Sequence, residues 1–210
     1  MMRAKDVYDK VVAFSPVPET TTCDLQVRCN QARQCGTPQT ERVVDFDRVK
    51  TEWNVTHRQS SMSSVDALAY HNDALCFIEI KGTVNFVTFQ IDPNKSDSEN
   101  LQVIRQQMQA YTLSLQKKFI DSFTICQGIT GDVQFNNGMR LIYVLTTDVE
   151  LSPLANLANQ LSILASGSSD WNMIYATALG NAFHVATVNL TGVSTKYRSC
   201  NEIDAFVRSL

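Results

Sequence analysis

Two apolar runs separated by a short polar turn constrain this chain more than any other feature. Val65-Asp66-Ala67-Leu68-Ala69-Tyr70 leads through His71-Asn72-Asp73-Ala74 into Leu75-Cys76-Phe77-Ile78-Glu79-Ile80-Lys81. The runs are strand-like and the linker carries turn residues, which together read as a β-hairpin. With Asn72-Asp73 at the turn centre, residue 71 pairs with 74, and pairing continues outward. Asp66 then falls opposite Glu79, and Ser64 opposite Lys81. Side chains alternate along a strand, so Glu79 and Lys81 leave the same face. Directly opposed residues sit about 4.5–5.5 Å apart at Cβ, where like charges are destabilising. Two carboxylates so placed need a compensating cation, and hard oxygen donors suit Mg²⁺ or Mn²⁺. A one-residue slip of register would send Asp66 to the other face. The bland alternative is a solvated sheet face carrying a charge pair, Glu79–Lys81 or Asp66–Lys81.

Composition narrows the class. The 210 residues are 44% hydrophobic and 19% charged, with a net charge of -3 and pI near 5.6. That is enough chain for one domain with a sizeable core. There is no global basic field, so contact with nucleic acid requires a local patch or metal ions. No apolar run follows the first residues as in a signal peptide, and none approaches the roughly 18 residues of a membrane helix. A soluble cytoplasmic protein without membrane contact is the expectation.

The remaining elements follow from periodicity and punctuation. Arg3 to Phe14 reads as a helix with Val7, Val11 and Val12 or Phe14 on one side, stopped by Ser15-Pro16-Val17-Pro18. Residues 15–41 read as a loop or insertion. Val43 to Trp53 reads as helix, and Thr83 to Ile91 as a third strand. Ser96-Asp97-Ser98-Glu99 has the spacing of a capping box. It opens a long helix with Leu101, Ile104, Met108, Tyr111, Leu115 and Phe119 as its stripe. Met139 to Thr146 is the strongest buried strand. Ser152-Pro153 starts a further helix that Ser166-Gly167 ends. Asn172–Ala178 and Phe183–Leu190 read as strands, and Asn201–Leu210 as a closing helix. The expected fold is a single α/β domain over residues 1–210, with its core at about 43–146 and an extension over 147–210.

Helix, hairpin bearing an acid and Glu-x-Lys, long helix and buried strand, in that order, resemble the PD-(D/E)xK nuclease superfamily. Asp66 matches its first acid, preceded here by valine instead of proline. Glu79-Ile80-Lys81 matches its (D/E)-x-K element. The resemblance implies a restriction-endonuclease-like αβββαβ core, a mixed central sheet flanked by helices. It also implies a Mg²⁺- or Mn²⁺-dependent nuclease acting on nucleic acid, DNA before RNA. Asp66, Glu79 and the Ile80 carbonyl would hold the metal, and Lys81 would position or activate water. Gln107-Met108-Gln109-Ala110-Tyr111 contains the Gln-x-x-x-Tyr of RecB-like members, so Gln107 and Tyr111 are candidates for site support. The superfamily often adds an acid from the first core helix, for which Glu41, Asp45, Asp47 and Glu52 compete. Its members include inactive domains that bind nucleic acid or protein, which is the alternative reading. A homodimer would suit a small nuclease that cuts two strands.

Other residues carry less chemistry. Cys23, Cys29 and Cys35 are separated by five residues each, wider than the two to four usual at zinc sites, and read as reduced thiols. Cys76 reads as a small core residue. His57, His71 and His184 show no mutual spacing. Arg58, Arg105, Lys95, Lys117 and Lys118 are candidates for a phosphate-contacting rim.

Overall fold

The computed structural model describes residues 2–15, 19–22, 25, 40–58, 61–149 and 169–210. The expected helix from Ser152 to Gly167 and the cysteines at 23, 29 and 35 lie outside these residues.

Six strands form one mixed sheet in chain order. They are β1 (Thr20–Thr21), β2 (Arg42–Asp45), β3 (Ala67–His71), β4 (Ala74–Lys81), β5 (Arg140–Thr147) and β6 (Val193–Ser199). The first four pair antiparallel, whereas β5 and β6 run parallel to β4. The described helices are α1 (Ala4–Phe14), α2 (Phe46–His57), α3 (Thr83–Gln90), α4 (Asp97–Thr130), α5 (Trp171–Thr187) and α6 (Ile203–Arg208).

The hairpin has the register that its sequence implies. Ala67 pairs with Ile78 and His71 with Ala74. Asn72 takes a left-handed φ of 52°, a conformation asparagine tolerates in tight turns. Strand alternation then divides the core. Leu68, Leu75, Phe77, Tyr143 and Leu145 face α1, α2, α4 and α5, while Ala67, Cys76, Ile78 and Val144 face α6. Glu79 and Lys81 continue the first set.

Helix α4 is 34 residues long, roughly 50 Å. Both halves of the Ser96–Glu99 capping box are present, and Ile104, Met108, Leu115 and Phe119 are buried as the stripe predicts. Gly131, at φ 71°, ends it in the left-handed conformation.

Three expectations are corrected. Val43 to Trp53 is a strand and then a helix. The β-branched pair Val43-Val44 joins the sheet, and the Asp45 side chain accepts the Arg48 N–H to start α2. Thr83 to Ile91 is not a strand but α3. Its Val, Phe and Thr content suits a sheet, but the Asp148 carboxylate accepts the N–H groups of Thr83 and Val84, at 2.7 and 3.0 Å, and fixes a helix start. Asn172–Ala178 and Phe183–Leu190 are not two strands. They fall in α5, where Tyr175, Leu179, Ala182, Phe183 and Ala186 are buried at helical spacing. Gly180-Asn181, which looks like a turn, sits inside that helix. No helix among the described residues is long and apolar enough to cross a membrane.

Candidate functional site

Asp66 stands just before β3, where the strand emerges from an anchored lead-in. Lys117 binds the Ser61 carbonyl, Asp121 accepts the Ser63 N–H, and the Ser122 hydroxyl accepts the Val65 N–H. One turn of α4 thus sets the path of the chain into Asp66. The Asp66 N–H donates to the Ile78 carbonyl, one residue off the hairpin register that pairs Ile78 with Ala67, while its own carbonyl accepts the Phe46 N–H. Its carboxylate Oδ2 accepts the Ile80 N–H at 2.6 Å. The aspartate is therefore held by main chain on both sides, with Oδ1 left to face a cation.

Glu79 is fully buried. Its Oε1 meets two ammoniums, Lys81 Nζ at 2.5 Å and Lys118 Nζ at 2.7 Å. Its Oε2 is buried and has no hydrogen-bond partner among the described residues. The same Lys118 ammonium lies 4.0 Å from Asp66 Oδ1. The two carboxylates can therefore be no further apart than those two contacts laid end to end. The lysine stem of Lys81 runs beside Tyr111, whose ring centroid is 5.4 Å from Nζ. Beneath them, the buried Tyr143 hydroxyl donates to the Leu115 carbonyl at 3.1 Å.

The electrostatics divide the acids and cations into roles. Burial, and then the charge of Glu79, push the Asp66 carboxyl up to about 7, against the pull of Lys118, Lys81 and the Ile80 N–H. Burial works to lower Lys81, but Glu79 and Asp66 outweigh it and hold the ammonium above its ordinary value. Lys81 is thus a fixed positive charge at neutral pH. Burial alone, reinforced by Glu79 and Asp66, keeps Tyr143 protonated.

The hairpin trio Asp66, Glu79 and Lys81 comes together as the register requires. Tyr111 reaches it. Gln107 sits half-buried one turn before Tyr111, and its amide makes no hydrogen bond among the described residues. Of the four upstream acids, Asp47 is the one drawn to the site. Burial opposes its charge, but Lys50, the Ser64 hydroxyl and the Lys118 charge hold it below the usual carboxylate range. Glu41 pairs with Arg208, and Asp45 caps α2.

Lys118 was expected on a phosphate rim and instead stands inside. The sequence signal was available in principle, because position 118 lies seven residues, two helical turns, after Tyr111. His57 stacks on Trp53 at 3.6 Å, His71 closes the hairpin and His184 is exposed on α5, so the histidines form no group. Cys76 and Cys126 are buried free thiols, and Cys200 is buried.

The chain matches no family model, no curated protein and no solved structure.

The donor set fits a small, hard divalent cation. It offers two carboxylates that share one ammonium, with a buried Glu79 oxygen that no group among the described residues satisfies. Among the described residues no three His, Cys, Asp or Glu cluster closely enough to hold a metal ion.

Proposed function

We propose that this chain is a metal-dependent phosphodiester hydrolase, a nuclease acting on DNA, built on a restriction-endonuclease-like core of the PD-(D/E)xK type. The observation that carries the proposal is a fully buried Glu79, one oxygen unpartnered, whose Lys118 partner also lies 4.0 Å from Asp66. The element order supports it. Helix α1, the antiparallel meander β2–β3–β4, helix α4 and the parallel strand β5 follow the αβββαβ sequence of that core, with β1 between α1 and β2, α2 between β2 and β3, and α3 between β4 and α4.

Asp66, Glu79 and the Ile80 carbonyl would hold Mg²⁺ or Mn²⁺. When bound, such an ion neutralises charge on the phosphoryl oxygens and lowers the pKa of a coordinated water. The rest of the work falls to side chains. Asp66 is pinned by the Ile80 N–H and must be ionised to ligate. Lys81, kept cationic by its two acidic neighbours, stabilises negative charge as it develops and orients the attacking water. Its raised pKa argues against a role as general base. Tyr111 backs its stem. Asp47 holds Ser64, two residues before Asp66.

One observation favours a second reading, a catalytically silent nuclease fold that binds nucleic acid or protein. Asp47, Asp66 and Glu79 meet Lys50, Lys81 and Lys118, so the acids already have ammonium partners. The deciding assay incubates single-stranded, duplex and branched DNA, and RNA, with Mg²⁺ or Mn²⁺. Cleavage by the wild type that is lost in Lys81→Ala supports the hydrolase. Failure of the wild type to cut any of them supports the silent fold.

A further inference from the structure

We infer that Lys118 is a tethered cation occupying the place of the divalent ion, and that loading the site requires its ammonium to withdraw. This rests on the reading of Asp66 and Glu79 as a divalent-cation site.

Three observations carry it. First, a single Lys118 ammonium touches Glu79 Oε1 at 2.7 Å and lies 4.0 Å from Asp66 Oδ1. It therefore stands between the two carboxylates that a shared ion would join. Second, Glu79 is doubly served at Oε1 and unserved at Oε2, although fully buried. Two ammoniums crowd one oxygen while the other has no donor among the described residues. A buried carboxylate oxygen left in this state costs free energy that an added cation recovers. Third, the two lysines differ in how they are held. Lys81 comes from the same strand as Glu79, two residues on, and lies against Tyr111. Lys118 reaches in from α4, a separate element, with a side chain about as exposed as that of Lys81, 23% against 19%. Its withdrawal needs only rotamer changes, with no movement of the sheet.

The consequence is a site that is stable without metal and resists adventitious loading. An ammonium and a divalent ion cannot occupy one gap, and a positive charge left nearby repels the ion. Lys81 then remains as the resident cation, and Lys118, once displaced toward the mouth, is the side chain placed to meet a phosphate oxygen.

The test is binding of Mn²⁺ alone to the full chain, followed by titration calorimetry or the paramagnetic signal of free Mn²⁺. Wild type is compared with Lys118→Met, Lys118→Gln and Lys196→Met, the last removing the same charge from an exposed position. The expected result is affinity raised about tenfold or more in both Lys118 variants, unchanged in Lys196→Met, and abolished when Glu79→Gln is added to Lys118→Met. Mn²⁺ binding by the wild type that is equal or weaker in folded Lys118 variants would overturn the inference and leave the cation site standing. Absence of Mn²⁺ binding in wild type and variants alike would remove the cation site and this inference with it.

Discussion

The Asp66 carboxylate accepts the Ile80 backbone N–H at 2.6 Å, so an acid on one strand is fastened to the main chain of the next. That bond holds the carboxyl in a pocket where burial and Glu79 raise it to about 7.

A pH dependence follows from its sign. A carboxyl whose folded pKa exceeds its unfolded value binds a proton more tightly when folded. Its stabilising contribution is complete below the ordinary value of 3.8 and is lost as pH rises through about 7. In the absence of divalent ions, thermal stability should therefore fall between about pH 4 and 7, by about 1–3 kcal/mol for this group. Asp66→Asn keeps an acceptor for the Ile80 N–H and removes the charge. Its melting temperature should match or exceed that of wild type at pH 8 and lose any advantage at pH 4.

Glu79 is served by two lysines, so neither alone is indispensable to folding. Lys81→Met or Lys118→Met should each cost about 1–2 kcal/mol in urea unfolding, because the other ammonium remains. The double variant leaves a buried carboxylate without a counter-ion and should cost more than the sum of the two. Adding Glu79→Gln to the double variant should restore most of the loss.

Helix α3 depends on an acid 65 residues away in sequence. Asp148→Ala leaves the Thr83 and Val84 N–H groups uncapped and should cost about 1 kcal/mol. Hydrogen exchange should show faster exchange confined to the first turn of α3.

A methyl group at Gly128 would meet Trp53. A Cβ built there lies 2.0 Å from the indole Cη2, inside any allowed contact. Gly128→Ala should destabilise by about 1–3 kcal/mol. Shifted tryptophan emission should accompany the loss, because the ring must move.

The legibility of the fold in the sequence depended on the range of the forces involved. The hairpin and its register could be read because pairing propagates from a local turn, and the capping box of α4 because its partners are three residues apart. Helix α3 was misread because its cap comes from Asp148, across the sheet. Helix α5 runs through both segments expected as strands, because tertiary packing of Tyr175, Leu179 and Phe183 at helical spacing decides it. Within the site, Asp66, Glu79 and Lys81 share one hairpin and were visible together. Asp47 and Lys118 reach it from separate helices; only the two-turn spacing of Lys118 from Tyr111 hints at that approach, and nothing along the chain marks Asp47.

The account turns on Asp66 and Glu79 sharing one ion, which crystals soaked in Mn²⁺ near pH 8 test directly by anomalous scattering. The expected result is one peak about 2.1–2.3 Å from a carboxylate oxygen of each residue, with Lys118 displaced. An empty map between the two carboxylates at saturating Mn²⁺, with Lys118 still on Glu79, would contradict it.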